Sequence, residues 1–217
     1  MLCVVAMSTA YLLPMRAPSP VMITTADDAK ATLTESLKYN KPLTEDGEKL
    51  VHTLVNSGAA PSTADKWWTG KFILISCNGL ARTLRKMGGP LLDGSPVTMQ
   101  ICEDGSLEIE TDMLVKGCAT GLRFLGTAAI ANDERLRLTL SATEFFEPSE
   151  EFGITKALNF CEETLRPTMP SDEQPASVAV APIFSDETML CTEAEETGTL
   201  VLLRNGQAYD VAKRRRG

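Results

Sequence analysis

The chain has 217 residues, of which 43% are hydrophobic and 23% charged, so one packed domain of ordinary globular composition is expected. Its formal net charge of −8 argues against a nucleic-acid partner, because phosphate backbones are bound by clustered Lys and Arg. Six scattered cysteines without a C-x-x-C pair, and the single histidine His52, indicate neither a disulfide framework nor a zinc site.

The first residues have the pattern of a targeting segment. Met1 to Ala10 are largely apolar and end in Ser8-Thr9-Ala10, the small residues that a signal peptidase accepts. The stretch from Tyr11 to Met22 then contains an arginine and several prolines, and the first acidic residue is Asp27. This two-part pattern is typical of presequences that direct proteins into the complex plastids of algae, and a plain signal peptide is the alternative.

These patterns divide the chain into three parts. We expect residues 1–23 to be a plastid presequence, residues 24–206 to form the folded domain, and residues 207–217 to be a basic tail that contains Lys213 to Arg216. The tail is interpreted as solvated, with a contact to anionic lipid or to a partner as the alternative. After the N-terminus no apolar run reaches the roughly 20 residues of a membrane span, so a soluble or peripheral protein is predicted.

Two helices are predicted at the start of the domain. Thr25 can cap the first, whose apolar residues recur every four positions at Ala29, Leu33 and Leu37. Pro42 separates it from a second helix, which Thr44 can cap and Gly58 can end. The apolar stripe of this second helix consists of Leu50, Val51, Leu54 and Val55. His52 lies beside the stripe and is interpreted as a surface residue.

From Trp67 onward the apolar period changes from helical to two. Residues 70–77 are a predicted strand, and two hairpins follow, with turns at 103–106 and 132–134. A short helix is predicted between Phe152 and Leu165, and the last strands are predicted at 178–184, 188–192 and 199–204. Seven or eight antiparallel strands after a helical lead-in predict a mainly β fold with a closed or nearly closed barrel.

The alternation also predicts which side chains point into this barrel. Eight strands leave an interior that side chains just fill or that holds one small ligand, so both a filled and a hollow barrel remain open. The inward candidates, which would contact a ligand in a hollow barrel, are Phe72, Leu74, Met99, Ile109, Met113, Phe124, Leu138, Leu140 and Leu202, with Ile101 beside them.

Sequence patterns of catalysis and of cofactor binding are absent. The chain has no G-x-G-x-x-G, P-loop or G-x-S-x-G motif, and Ser95 lies in a predicted turn. Glu108 and Glu110 alternate with Leu107 and Ile109, which places the carboxylates on the solvent face of their strand and not in an acid/base pair. We therefore expect no enzymatic activity, no cofactor and no metal ligands.

Two segments resemble the plastid lipid-associated proteins, the fibrillins of plastoglobules and thylakoids. Trp68-Thr69-Gly70-Lys71-Phe72-Ile73-Leu74-Ile75-Ser76 is similar to the G-K-W-x-L-x-Y-[ST] first strand of that family, and the helix-link-helix lead-in is similar too. Phe184 to Leu190 followed by Gly198 to Leu203 resembles the family ending G-x-L-F-V-L. Phe72 and Ile75 replace the tryptophan and tyrosine of the first motif, and Cys191 to Glu196 replace the arginines and the R-G pair of the second.

The resemblance implies a lipocalin-like antiparallel β-barrel preceded by two short helices. It also implies association with thylakoids or plastoglobules and binding of a lipid, quinone or carotenoid, so the expected partner is a lipophilic small molecule or plastid membrane lipid. A structural or assembly protein on a thylakoid complex is the first alternative. It would use Trp67, if Trp68 points inward, or the loop around Arg82, Arg85 and Lys86. A lipocalin-like chromophore lyase or isomerase is the second alternative, and it would need Cys77, Cys102 or the carboxylates of strand 107–115 in the pocket.

Overall fold

A computed structural model describes residues 25–36, 43–58, 61, 66–77, 97–131, 135–148, 153–194 and 198–204. The expected presequence, the basic tail and the loop around Arg82 lie outside the described residues, as do Leu37 and the predicted turn at 132–134. The structural statements below concern the described part of the chain.

The elements follow the chain in a helix-helix-barrel order. Helix α1 spans Ala26–Ser36 and α2 spans Glu45–Ser57. The strands are β1 Gly70–Cys77, β2 Val97–Ile101, β3 Ser106–Val115, β4 Cys118–Ile130, β5 Leu136–Phe146, β6 Ala176–Ser185, β7 Met189–Ala194 and β8 Gly198–Arg204. Between β5 and β6, helix α3 (Ile154–Phe160) continues as a π-helical turn, Cys161–Leu165, and a 3₁₀ turn, Arg166–Thr168.

The strands form a closed antiparallel barrel in sequence order. Each strand pairs with the next one along the chain, and β8 pairs with β1 to close the sheet. Because the barrel is closed, each strand is paired on both sides. The apolar strands therefore offer no open edge on which a second chain could pair. The mainly β barrel with two N-terminal helices, predicted from the sequence, is confirmed.

Strand β3 shows how the alternation sorts side chains between the interior and the solvent. Its inward residues are all buried and comprise Leu107, Ile109, Thr111, Met113 and Val115. Glu108 and Glu110 point outward, where Arg123 of β4 lies 3.0 Å from Glu108 and 2.6 Å from Glu110. The carboxylates therefore belong to an ion-pair cluster on the outer surface, the solvent face that the alternation predicts.

Helices α1 and α2 pack against the outside of the barrel. Thr25 and Thr44 cap them, since their hydroxyl oxygens accept hydrogen bonds from the amides of Asp28 (3.1 Å) and Gly47 (3.2 Å). The buried helix residues Ala29, Leu33, Leu50, Val51 and Leu54 share one apolar cluster with outward residues of the barrel, namely Ile73, Phe184, Met189, Cys191, Val201 and Leu203. His52 is exposed, as predicted.

Because of this cover, strands β1, β7 and β8 are buried on both faces. Such strands have continuous apolar sequences instead of alternating ones, as in Phe72 to Leu74 and Val201 to Leu203. Cys191 of β7 lies under the helices, and burial raises the pKa of its thiol to about 12. The thiol is therefore neutral at physiological pH and behaves as a small apolar group.

The α3 segment lies at one end of the barrel, here called the helix end, where the β3–β4 turn also lies. Lys116 of that turn sits 4.2 Å from the ring centroid of Phe160. Arg166 donates a hydrogen bond of 2.6 Å to the carbonyl oxygen of Thr143 in β5 and pairs with Glu162. The buried residues of the segment, Ile154, Ala157, Cys161, Leu165 and Met169, join the interior core of the barrel. The opposite end, with the β2–β3 and β6–β7 turns, is called the turn end.

Candidate functional site

The barrel is hollow over part of its length and encloses a cavity of about 260 Å³. Its lining is almost entirely apolar and comes from strands β1 to β8, from Trp68 before β1 and from Pro170 after the α3 segment. The lining residues are Trp68, Leu74, Val97, Met99, Ile101, Ile109, Phe124, Leu136, Leu138, Leu140, Pro170, Ala176, Ser177, Val178, Val180, Leu190, Thr192, Leu200 and Leu202.

Seven of the nine inward candidates predicted from the sequence line this cavity, together with Ile101. The seven are Leu74, Met99, Ile109, Phe124, Leu138, Leu140 and Leu202. Phe72 and Met113 are buried in the same core but do not line the cavity. Phe72 lies at the turn end beside Arg204, and Met113 lies near the β3–β4 turn, where the α3 segment fills the interior.

The sequence reasoning missed the residues that β6 and β7 contribute to the cavity. Val178 and Val180 of β6 could have been identified as inward residues, because they alternate along a predicted strand. Leu190 and Thr192 were harder to identify, because β7 is buried on both faces and its run from Met189 to Thr192 has no alternation. Pro170 follows a helical turn and carries no periodic signal.

Both tryptophans before β1 are turned into the protein, which corrects one expectation. Trp68 lines the cavity, but Trp67 is only 3% exposed and is not available to a partner. The reason is the tight turn at 66–69, in which the amide of Thr69 bonds to the carbonyl oxygen of Lys66. Arg204 also holds Trp67 in place by donating a 2.5 Å hydrogen bond to its carbonyl oxygen.

Arg204 closes the turn end of the barrel. Its guanidinium carbon lies 5.3 Å from the ring centroid of Phe72, and it donates a second hydrogen bond, of 2.8 Å, to Ser185 Oγ. Burial lowers the pKa of Arg204, and the nearby charge of Asp186 opposes this shift. The guanidinium remains a cation at the closed end, because arginine does not lose its proton in proteins.

At the other side, the cavity reaches the surface beside the start of β6. Ala176 and Ser177 border the cavity and are exposed, and Leu140 and Leu200 are half-buried. Pro170, a buried residue of the lining, is held in place because its carbonyl oxygen accepts a 2.9 Å hydrogen bond from Thr143 Oγ1. A molecule could therefore enter next to the α3 segment and lie with its inner end toward Trp68.

Among the described residues, no charged side chain lines the cavity. Its side-chain polar atoms belong to Trp68, Ser177 and Thr192, and Ser177 Oγ is 2.9 Å from Thr139 Oγ1. The hydroxyl of Thr192 is buried without a hydrogen-bond partner. An interior of this kind dissolves apolar groups and would strongly disfavour an ionised one, which would have to shed its hydration without gaining a counter-charge.

Three of the side chains considered for an enzymatic site, Glu108, Glu110 and Cys102, do not line the cavity. Glu108 and Glu110 point outward, and half-buried Cys102 does not line the cavity. The side chain of Cys77 lies outside the described residues. Within the described ranges, no three His, Cys, Asp or Glu residues are grouped so that they could hold a metal ion. In the same ranges, no helix combines the length and the apolar character needed to cross a membrane.

No family model matches the chain, and no curated protein is detectably similar to it. The chemistry of the site therefore has to be inferred from its own geometry.

Proposed function

We propose that the protein binds a lipophilic small molecule inside its barrel, and that this molecule is a lipid, quinone or carotenoid of a plastid membrane or plastoglobule. The observation that supports the proposal is the apolar cavity of about 260 Å³ with an opening beside β6. Ligand burial would be stabilised by the removal of apolar surface from water, at about 25 cal/mol per Å².

The size of the cavity sets how such a ligand would bind. It exceeds the roughly 150 Å³ of an engineered apolar cavity that accepts benzene and lies just below the roughly 300–1,000 Å³ of typical ligand pockets. A lipid, quinone or carotenoid is larger than that, so one end would be enclosed and the remainder would leave through the opening. Binding of this kind suits a protein that works at a lipid surface.

The cavity favours the binding hypothesis over the alternative of an assembly protein. An assembly protein with a filled barrel would need no internal space, whereas a binding protein requires it. The plastid assignment is supported by the two-part pattern of the first 23 residues and by the resemblance of the β1 and β8 segments to plastid lipid-associated proteins. A fluorescent fusion to residues 1–30 tests that assignment, since it should accumulate in plastids.

The binding proposal is tested by filling the cavity. Val178→Trp adds a large ring to a residue that lines the cavity near the opening, and Ala179→Trp places the same ring at the next position, outside the lining. In a titration with the neutral dye N-phenyl-naphthylamine, the wild type and Ala179→Trp should bind, and Val178→Trp should lose most of the signal. Equal binding by all three proteins, or by none of them, would contradict the proposal.

A further inference from the structure

Among the described residues that line the cavity, Thr192 has a buried hydroxyl that makes no hydrogen bond within the protein. Thr192 is 2% exposed, and its Oγ1 has no hydrogen-bond partner. It lies on β7 between Leu190 and Ala194, opposite Leu200 of β8, and it lines the cavity. A buried hydroxyl without a partner costs stability compared with a methyl group, so its position inside a ligand-sized cavity needs an explanation.

We propose that Thr192 binds an oxygen of the ligand, so that the preferred ligand is an uncharged lipophile with a carbonyl or hydroxyl group on its enclosed part. This inference rests on the proposed function and deepens it. A hydroxyl donates to a carbonyl and both donates to and accepts from an alcohol, so Thr192 can pair with either group. Around it the described lining is apolar apart from Ser177, whose Oγ pairs with Thr139 Oγ1, and Trp68, whose indole N–H can only donate a hydrogen bond.

The same lining discriminates against other lipids. Within the described part of the chain, a carboxylate or phosphate inside the cavity would meet no positive charge, because no Lys or Arg lines it. Arg204 lies at the turn end, where it bonds to Trp67 and Ser185. A pure hydrocarbon would leave Thr192 without a partner. The geometry thus favours a ketone, quinone or alcohol group over an acid and over a hydrocarbon.

The chain provides matched control positions for Thr192. Thr111 and Thr120 are also at least 96% buried, and their hydroxyls likewise have no hydrogen-bond partner, but neither residue lines the cavity. Thr→Val at any of the three positions replaces the hydroxyl by a methyl group of similar size. In the empty protein each change should leave stability equal or slightly higher, because an unpaired buried hydroxyl is removed.

The experiment is a competition assay with probes of one chain length. The competitors are decanol, decanone, decane and decanoate, and each is titrated against bound N-phenyl-naphthylamine. The proteins compared are the full-length wild type, Thr192→Val and Thr120→Val. In wild type and Thr120→Val, decanol and decanone should compete better than decane, and decanoate should be the weakest. Thr192→Val should lose about 2- to 13-fold in affinity for decanol and decanone, the effect of one neutral hydrogen bond, and should bind decane unchanged.

The outcomes separate this inference from the proposed function. If the dye does not bind the wild type, the proposed function fails, and the role of Thr192 fails with it. If the dye binds but Thr192→Val retains the wild-type preference for decanol and decanone, only the role of Thr192 is refuted. The same holds if Thr192→Val and Thr120→Val change affinity equally. A thermal unfolding midpoint for each variant shows whether a lost preference comes from lost structure.

Discussion

Phe72 lies beneath the guanidinium of Arg204 at the closed end of the barrel and is 2% exposed. Leu138, by contrast, lines the cavity although it is nearly as buried, at 5%. Burial alone therefore does not separate a residue that holds the barrel together from one that a ligand would contact. The separation depends on whether packed atoms or empty space lie beside the side chain.

This difference predicts opposite phenotypes for two truncations. Phe72→Ala should lower the free energy of unfolding by about 3–5 kcal/mol, because it removes a packed ring and leaves a hole. Leu138→Ala should cost less than the typical 2–5 kcal/mol, since part of its surface already faces the cavity, and should weaken dye binding more. Urea denaturation with and without the dye measures both effects. A loss below about 1 kcal/mol for Phe72→Ala would show that the ring is not packed as described.

At the scale of the elements, two glycines of β4 allow β4 and β5 to approach each other. The β4–β5 register shifts between Leu125 and Gly126, which is a bulge. A Cβ on Gly126 would overlap the carbonyl oxygen of Thr139 and lie 2.8 Å from its carbonyl carbon, so backbone atoms would have to move. A Cβ on Gly121 would instead overlap the ring of Phe146, a half-buried side chain that can rotate away.

Alanine at these two positions should therefore have unequal effects. Gly126→Ala should destabilise the protein by about 3 kcal/mol or more, at the upper end of overpacking costs, because the clash is with backbone. Gly121→Ala should cost less than about 1.5 kcal/mol, since only a ring has to move. Thermal unfolding of both variants measures the contrast. Similar midpoints for the two would mean that the bulge relaxes easily and that Gly126 is not required there.

The sequence predicts where the strands lie, but it assigns the two faces of a strand only where one face is exposed to solvent. Strand β3 could be assigned from alternation, and β1 was predicted with its observed bounds, Gly70–Cys77. Strand β5 extends to Phe146, beyond the predicted alternation, because Ser141 to Phe146 mixes polar and apolar residues without a clear period. The packing of α3 over part of the helix end could not be predicted, since periodicity shows which face of a helix is apolar but not what that face covers.

The residues of the candidate site were likewise predicted where the strands alternate and missed where both faces of a strand are buried. Seven inward residues of alternating strands were identified, whereas Thr192 was missed because β7 is covered on both faces. The burial of Trp67 was also missed, because it depends on Arg204, a residue distant in sequence. Contacts between the two ends of the chain leave no local pattern.

At the scale of the whole molecule, one ion pair joins the helical layer to the barrel. Lys30 of α1 lies 2.8 Å from Asp186 in the β6–β7 turn. The carboxylate also accepts hydrogen bonds from the amides of Thr188 and Met189. Burial alone would raise the pKa of Asp186, but the bonds from Lys30 and from the two amides outweigh it and lower the pKa below its ordinary value of 3.8.

This contact predicts how the protein responds to acid. A carboxyl whose pKa is lowered by folding stabilises the protein above pH 3.8, and this contribution is lost as the pH falls through the lower pKa of the folded state. Asp186→Asn keeps an oxygen that accepts from the turn amides but loses the ion pair with Lys30. Its free energy of unfolding should therefore equal that of Lys30→Met, and should fall less than that of the wild type as the pH is lowered below 3.8. Asp186→Ala should be less stable than both. If Asp186→Asn and the wild type lost the same stability as the pH falls, the ion pair would not contribute to the free energy of unfolding.

The order of the strands also constrains how the molecule folds. Seven ladders join neighbours in the chain and can form as local hairpins, but the β1–β8 ladder joins strands from the two ends of the barrel sequence. Because closing so long a loop costs entropy, we expect the β1–β8 ladder, the seam of the barrel, to form last. Until it forms, β1 and β8 are unpaired edges that are apolar on both faces. Such edges are prone to intermolecular pairing. Helices α1 and α2 pack on Ile73, Val201 and Leu203, which flank the seam. Their docking therefore covers the surface most prone to aggregation during folding, in addition to stabilising the finished barrel.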